Sequence, residues 1–342
     1  MLKKMLSWAL RPVSPGSLIG LAIALTFLTA QPVQADTINV NLGYATANTS
    51  AYGVISEKFK ELVEKYSNGS VRVKVRCCAQ LATEDEAFKA MQLGTVDMYI
   101  ITMNNVSPHF PLMDAFVLPY IFQSQDHAYK VLEGPVGQDF AKRLQRATGV
   151  WLLTYGFVGN RDFFNSKRSI RTIEDMKGLK VRVPKNQVML DTFNAFGAAP
   201  IPLPWADTPT ALQTGAVDGG DAGTTFVKSQ KFYEFMDNLA VLEHFSFFSP
   251  LFASNRIMGK LDDQQRAAVV RAAKEAGLYQ REVVGTRVAD VRKFLTTEGK
   301  MKRSQVDKSG FITAGQKVQA KYATEKGADF KALLDAIQAA AN

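Results

Sequence analysis

Histidine and cysteine are scarce in this 342-residue sequence, which has three histidines and two cysteines. None of the histidines lies in an HExxH motif, and no GxSxG, P-loop or GxGxxG motif is present. No Cys/His spacing fits a metal site, so the sequence predicts neither a cofactor nor a metal ligand set. His244 lies among phenylalanines, which favours a core position over a general base. A carboxylate pair for acid–base chemistry leaves no local spacing pattern, and that enzymatic alternative stays open.

The two cysteines, Cys77 and Cys78, are adjacent in sequence. Neighbouring Cα atoms lie about 3.8 Å apart, below the usual disulfide range of about 4.4–6.8 Å, so a bond between them would be strained. In an oxidising compartment they could still form a vicinal disulfide or cross-link two chains. Two thiols without a role are an equally open alternative.

Long apolar runs are also missing, except near the N-terminus. A positively charged start with Lys3 and Lys4 precedes an apolar run at 18–30, and small residues at 33–35 precede Asp36. This is the pattern of a cleaved signal peptide, and the apolar run is too short to span a bilayer comfortably. An uncleaved anchor is the alternative. We therefore expect export to the periplasm.

The formal net charge is +9, with the cations scattered along the chain. No basic stripe alternates with aromatic residues, which argues against nucleic-acid binding. A modest positive excess favours the attraction of small anions.

The first part of the mature chain alternates between strand and helix patterns. Period-two runs at 37–42, 71–75 and 96–103 predict strands, and helical spacing at 54–66 and 84–93 predicts helices. This β-α-β-α-β order is typical of a parallel sheet with covering helices.

An internal repeat suggests two similar halves. Residues 90–97 (AMQLGTVD) recur as 211–218 (ALQTGAVD), each ending a helix at a glycine and entering a strand through Val-Asp. Two lobes of similar α/β design would each present a loop at the carboxyl end of a strand, where ligands bind in such sheets. Chance similarity of two helix ends is the alternative.

A long amphipathic stretch follows at 261–297. It exceeds the length of a typical globular helix and contains Gly277 and Gly285, so we expect a bend or break at those glycines.

The most informative residue is Arg182, in the short apolar run 180–183. Val181 and Val183 occupy one face of this predicted strand, which places Arg182 on the other face, just before Pro184. A buried guanidinium needs a partner, and a ligand carboxylate can provide one through two parallel N–H···O bonds. Arg161 could add a second cation to the same site. An internal Asp or Glu as partner of Arg182 is the open alternative.

Several segments occur in the order and spacing of one protein family. They lie at 67–69, 80–81, 92–98, 118–122, 134–137, 161–165, 175–184, 197–198 and 211–219. On these segments the sequence resembles the extracytoplasmic solute-binding proteins of tripartite ATP-independent periplasmic (TRAP) transporters, the DctP-like family. The resemblance implies a two-lobed α/β periplasmic-binding-protein fold (type II-like), with mixed sheets, an interlobe cleft and a long C-terminal bridging helix.

The resemblance also implies how the chain is divided. A signal peptide would occupy 1–35, lobe I 36–158 with about 247–286, and lobe II 159–246 with about 287–342. The lobes would hinge shut over a small carboxylate-bearing organic anion and deliver it to the membrane subunits of a TRAP permease. A sensor subunit of the same fold, reporting to a membrane kinase, is a rival interpretation, and a periplasmic enzyme is another.

The family's ligand-clamping arginine falls on Arg182, and the second arginine of many members on Arg161. The sequence departs from the family after Val217-Asp218-Gly219, where Gln-Glu-Asn-Pro is replaced by Gly-Asp-Ala-Gly. The ligand contact of that asparagine would be missing or replaced by Asp221 or Thr224, which suggests a ligand other than the common C4-dicarboxylates. The remaining candidates for ligand contact are Trp205, Thr225 in the 221–225 loop, Asn104 and Tyr44.

Overall fold

The computed structural model describes residues 37–341, so the predicted signal peptide lies outside the described residues. The strands are β1 (Ile38–Gly43), β2 (Val71–Arg76), β3 (Met98–Ile100), β4 (Val150–Asn165), β5 (Lys180–Val183), β6 (Ala199–Pro202), β7 (Gly219–Gly223), β8 (Asn238–Ala240), β9 (Ser246–Ser254) and β10 (Lys302–Ser304). The helices are α1 (Ala51–Tyr66), α2 (Glu84–Gln92), α3 (Met103–Val106), α4 (Gln125–Glu133), α5 (Pro135–Thr148), α6 (Gln187–Ala195), α7 (Thr208–Gln213), α8 (Thr224–Ser229), α9 (Asn255–Lys260), α10 (Asp263–Thr297), α11 (Ser309–Glu325) and α12 (Ala328–Ala339). Short 3-10 helices lie at Pro111–Phe116, Ile173–Met176, Trp205–Asp207 and Phe232–Glu234.

The predicted β-α-β-α-β order is confirmed as β1-α1-β2-α2-β3. β1 pairs in parallel with β2 and with β3, and α1 packs on them through a buried stripe that includes Ile55, Phe59 and Val63. The two helix ends of the internal repeat also match, since Gly94 and Gly215 have φ angles of +74° and +70°. Such left-handed backbone favours glycine and ends the helix before the next strand.

Strand β4 belongs to two sheets. Its first half, 150–157, pairs antiparallel with β9, which continues through β3 to β1 and β2. Its second half, 161–165, pairs antiparallel with β7, which continues to β5 and β6. The pairing with β9 shifts register between Phe157 and Asn160. The sheets are therefore mixed, as the family resemblance implies.

The expected break near Gly277 and Gly285 is wrong, because α10 is one continuous helix of 35 residues, whereas a bend there stays a prediction. A Cβ atom on Gly277 would lie 2.4 Å from Oγ1 of Thr154, so this glycine allows the helix to lie close against β4. At Gly285, no atom lies within 4 Å of the position that a Cβ atom would take. The expectation there depended only on the lower helix propensity of glycine. Reciprocal hydrogen bonds between Asp262 and Gln265 cap the helix.

The adjacent cysteines are bonded to each other. Cys77 and Cys78 form a vicinal disulfide, and no free cysteine occurs in the described residues. The loop also contains two successive non-glycine residues with positive φ, Cys78 at +59° and Ala79 at +58°. Of the alternatives left open by the sequence, the structure shows the vicinal bridge.

Candidate ligand-binding site

Arg182 lies on β5, and its side chain is 3% exposed. Its Nε and Nη2 atoms donate to the backbone carbonyl of Leu203 at 3.0 and 2.7 Å, and its guanidinium lies 5.4 Å from the ring centre of Trp205. Among residues 37–341, no carboxylate forms an ion pair with Arg182. The internal partner that the sequence left open is therefore not found in the part of the chain that the structure describes.

The electrostatics of Arg182 follow from this isolation. Burial lowers its pKa to about 10, and the positive charge of Arg161 contributes to the same direction. A guanidinium with this lowered pKa is still protonated at pH 7, so the site holds a buried cation. The neutral Leu203 carbonyl orients that cation without forming an ion pair, and the carboxylates of Asp221, Glu84 and Asp85 act on it only beyond ion-pair distance.

Arg161, by contrast, already has a carboxylate partner. It lies on β4 opposite Gly223, and its Nε and Nη2 donate to Oδ2 and Oδ1 of Asp221 at 2.5 and 2.9 Å. Nη2 also donates to the backbone carbonyl of Asp221 at 2.6 Å. Both side chains are almost fully buried, and the ring of Phe247 lies 4.6 Å from the guanidinium. This ion pair neutralises Arg161 within the protein.

His244 completes the buried network. Burial alone would raise the pKa of Asp221, but Arg161 and His244 outweigh it and hold that pKa below its usual value. The ionised carboxylate can only accept, so His244 Nε2 donates to Oδ2 at 3.1 Å. Burial lowers the pKa of His244, whose Nδ1 has no partner and whose ring packs on Phe193 and Phe196. The core position expected for His244 agrees with this environment.

A narrow cavity lies next to the two arginines, and aromatic, polar and charged residues form its walls. They are Tyr52, Glu84, Thr102, Asn105, Arg161, Arg182, Pro184, Trp205, Phe226 and Phe247. Phe226 contacts three other aromatic rings of this wall, with centroid distances of 5.3 Å to Tyr52, 5.9 Å to Trp205 and 5.6 Å to Phe247. The cavity therefore has a cationic end and an aromatic side.

Glu84 supplies the negative charge of the cavity. Its Oε2 accepts hydrogen bonds from Thr102 Oγ1 at 2.7 Å and from Asn105 Nδ2 at 2.6 Å. Burial raises the pKa of Glu84, and these hydrogen bonds partly oppose that shift. A carboxylate held in this way can accept further hydrogen bonds from hydroxyl groups of a ligand.

The structure brings three of the seven sequence-predicted site residues together and places four elsewhere. Arg182, Arg161 and Trp205 line the cavity. Asp221 lies behind Arg161, and its carboxylate is engaged with Arg161 and His244; a ligand contact by Asp221 or Thr224 stays a prediction. Thr225 lines a different cavity.

Asn104 and Tyr44 lie near the site without lining this cavity. Asn104 faces an adjoining, mostly apolar space that also touches Arg161, and its amide donates to Asn105. Tyr44 is fully buried; its hydroxyl donates to Asn48, and its ring meets the edge of Tyr52.

Sequence reasoning missed Glu84, Thr102 and Asn105. Thr102 and Asn105 follow the carboxyl end of β3, a position that points to ligand sites in α/β sheets, and the prediction chose the neighbouring Asn104 instead. Glu84 begins α2, where an acidic residue is usually interpreted as stabilising the helix N-terminus. Nothing local distinguishes the two roles.

Comparison with known proteins decides the family. Residues 42–326 match the family model of the DctP proteins, described as bacterial extracellular solute-binding protein, family 7. The chain belongs to this family. The resemblance seen in the sequence is thus confirmed, and as a member of a solute-binding family the protein serves transport rather than catalysis.

Relatives and solved structures match this chain over most of its length. The 2,3-diketo-L-gulonate-binding periplasmic protein of Escherichia coli is 29% identical over 88% of this chain and 92% of its own length. A TRAP periplasmic solute-binding protein from Polaromonas, bound to D-erythronate, is 31% identical with a TM-score of 0.84, covering 88% of this chain and 98% of the other. A sugar acid-binding protein from Advenella mimigardefordensis, in complex with galactonate, is 26% identical with a TM-score of 0.84, covering 89% and 99%.

The family is extracytoplasmic. Within residues 37–341, no helix combines the length and the apolar character needed to cross a membrane. The implied two-lobed binding-protein fold is confirmed by the structural neighbours.

Proposed function

We propose that this protein captures a small hydroxylated monocarboxylate between Arg182 and Glu84 and delivers it to a TRAP membrane permease. The observation that carries the proposal is the unpaired, buried guanidinium of Arg182 at one end of the cavity. Its hydrogen bonds to Leu203 fix the plane of the guanidinium and leave Nη1 free to donate. A ligand carboxylate would compensate the charge through the geometry in which arginine binds carboxylates best.

The charges around the cavity limit the ligand further. Arg161 and Asp221 cancel each other, so the remaining charges are one cation, Arg182, and one anion, Glu84. One ligand carboxylate is favoured at Arg182, whereas a second carboxylate near Glu84 meets a like charge in a buried setting. Hydroxyl groups suit that end, because they can donate to the Glu84 carboxylate.

The ligands of similar proteins support this class. D-Erythronate and galactonate, which occupy two of the similar structures, are both hydroxylated monocarboxylates. A similar structure from Sulfurospirillum deleyianum holds succinate instead, so the fold alone does not select the ligand. Glu84 is the residue of this chain from which we infer the preference.

The cavity would close between two lobes divided as the family resemblance implies, with lobe I at 36–158 and about 247–286. The change of sheet partners along β4 near 157–160 supports a hinge there. Contacts across the proposed boundary include the ion pair of Lys185 with Asp85 at 3.4 Å and the hydrogen bond from Asn186 Nδ2 to the carbonyl of Asn104 at 3.1 Å. These contacts would hold the lobes together around the ligand.

A periplasmic location with removal of residues 1–35 belongs to the same proposal. The charged start, apolar run and small-residue site at 33–35 support a cleaved signal peptide.

A thermal-melt screen of the mature protein tests the function. The protein is first partly unfolded and refolded to remove carried-over ligand, then mixed with D-erythronate, galactonate, succinate or the neutral polyol erythritol. A ligand at 100 times its dissociation constant stabilises the protein by about 2.7 kcal/mol, which is a shift of a few degrees. We expect the hydroxylated monocarboxylates to raise the melting temperature most. A shift with erythritol and none with any carboxylate would refute the proposal.

A further inference from the structure

A second cavity lies outside the site described above. It is open to solvent, has a volume of about 500 Å³, and lies between the first turns of α1, helix α8 with the segment after it, and the middle of α10. Its lining consists of Thr49, Ala51, Val54, Thr225, Lys228, Ser229, Lys231, Tyr233, Val284, Arg287, Asp290 and Val291. None of these residues lines the first cavity.

The charge of this second cavity is mainly positive. Three cations, Lys228, Lys231 and Arg287, face one acid, Asp290. Arg287 makes no ion pair among the described residues, and Lys231 has only an exposed partner, Glu234, at 3.7 Å. An uncompensated cluster of this kind attracts anions.

The floor of the second cavity is apolar. Ala51, Val54, Val284 and Val291 line it alongside the charged groups. The ammonium group of Lys228 lies 3.9 Å from the ring centre of Phe294, so its position on α8 is supported by a contact outside the cavity. A pocket with an apolar floor and a few convergent polar groups is the usual composition of a small-molecule site.

An unsatisfied polar group lies in the same lining. Oγ1 of Thr225 is buried and has no hydrogen-bond partner. A buried hydroxyl without a partner is unfavourable, and a bound ligand atom or water can satisfy it.

We propose that this second cavity binds a small amphiphilic anion, with its acidic group between Lys228 and Arg287 and its apolar body over Val284 and Val291. The cavity shares two walls with the first site. Ala51 and Thr225 face the second cavity, while their neighbours Tyr52 and Phe226 line the first. The two sites are therefore adjacent but chemically distinct.

An NMR titration with 3-phenylpropionate tests the second site. In the isotope-labelled mature protein, we expect saturable shifts of backbone amides in α8 and the middle of α10. The same shifts persist in Arg182→Ala, because the first site does not contribute. The double variant Lys228→Ala/Arg287→Ala weakens binding at least ten-fold, whereas Lys260→Ala/Lys274→Ala, which removes two exposed cations outside the cavity, does not.

The neutral amide 3-phenylpropionamide serves as the charge control and binds at least ten-fold more weakly than the acid. Circular dichroism melts verify that both double variants are folded. The proposal is overturned if no saturable shift appears, or if Arg182→Ala abolishes the shifts while Lys228→Ala/Arg287→Ala leaves them intact, since the probe then occupies the first site. Equal affinity for acid and amide overturns the anionic part of the proposal.

Discussion

The guanidinium of Arg161 donates to both carboxylate oxygens of Asp221, at 2.5 and 2.9 Å, in a fully buried ion pair. Arg182, on β5 and lining the same cavity, has the backbone carbonyl of Leu203 as the only hydrogen-bond partner of its side chain among the described residues. The two arginines therefore differ in role. Arg161 is paired within the protein and shapes the wall, whereas Arg182 has no carboxylate within ion-pair distance among the described residues, and we propose that a ligand carboxylate pairs with it.

Replacement of Asp221 with asparagine leaves Arg161 as an unpaired buried cation. We expect Asp221→Asn to lower the free energy of unfolding by about 3–5 kcal/mol, as measured by urea denaturation, because removal of one partner of a buried pair leaves the other charge uncompensated. Asp335→Asn, in an exposed pair with Lys331, is the matched control and changes stability little. Similar stability of the two variants would mean that the Arg161–Asp221 pair has no structural role.

Replacement of two glycines of helix α10 by alanine should change the stability of the protein in opposite directions. Gly277→Ala places a methyl group 2.4 Å from Thr154 Oγ1 and should cost about 1–3 kcal/mol through overpacking. Gly285→Ala meets no atom within 4 Å and should stabilise the helix by about 0.5–1 kcal/mol. Urea denaturation of both variants checks the signs, and equal effects would contradict the close approach of α10 to β4.

Much of the fold follows from local sequence patterns, but the bridging helix shows where such patterns fail. The spacing of Ile55, Phe59 and Val63 and the glycine caps at Gly94 and Gly215 are local signals, and the structure agrees with them. In the sequence, a glycine within a helical pattern indicates only a lower helix propensity. The reason for glycine at position 277 is its close approach to Thr154, a tertiary contact that the local sequence does not show.

The candidate site was predictable to a similar degree. Arg182 was recognisable because its strand neighbours are apolar and because of the family resemblance. The partner of Arg161 was not recognisable from the sequence. Asp221 lies 60 residues away and meets Arg161 only through the pairing of β4 with β7. Glu84 was missed because its contacts to Thr102 and Asn105 cross between separate elements.

We expect the buried carboxyl group of Asp162 to make the stability of the protein depend on pH. Its carboxyl group on β4 is buried, Oδ2 accepts from Arg292 at 2.9 Å, and Oδ1 has no partner. Burial raises its pKa to about 6, although Arg292 opposes the shift. Because the folded pKa exceeds the unfolded value of about 3.9, the protonated group stabilises the fold by up to about 3 kcal/mol below pH 4. This contribution is lost as the pH rises through 6.

Urea denaturation between pH 4 and pH 7 measures this contribution. Stability of the wild type should fall with rising pH relative to Asp162→Asn, which cannot titrate at this position. Asp329→Asn, at an exposed surface pair, should retain the slope of the wild type. Parallel pH profiles for wild type and Asp162→Asn would show that Asp162 has an ordinary pKa.

We expect Glu84 to make the protein prefer monocarboxylates over dicarboxylates. Glu84→Gln keeps a hydrogen-bonding side chain but removes the negative charge that disfavours a second ligand carboxylate. Calorimetry should show that the affinity for succinate, relative to D-erythronate, rises at least ten-fold, equivalent to about 1.4 kcal/mol. Glu86→Gln, an exposed change two residues away, should leave the ratio unchanged. An unchanged ratio in Glu84→Gln would remove the basis for preferring monocarboxylates.

The central claim is that Arg182 clamps the ligand carboxylate, and the affinity of Arg182→Ala tests it most directly. Isothermal titration with the carboxylate that shifts the melting temperature most should show a loss of about 2–5 kcal/mol, which is at least tens-fold in affinity. Arg303→Ala, which removes an exposed cation on β10, should bind like the wild type, and both variants should melt cooperatively. If folded Arg182→Ala bound the carboxylate as tightly as the wild type, the clamp assigned to Arg182 would be wrong.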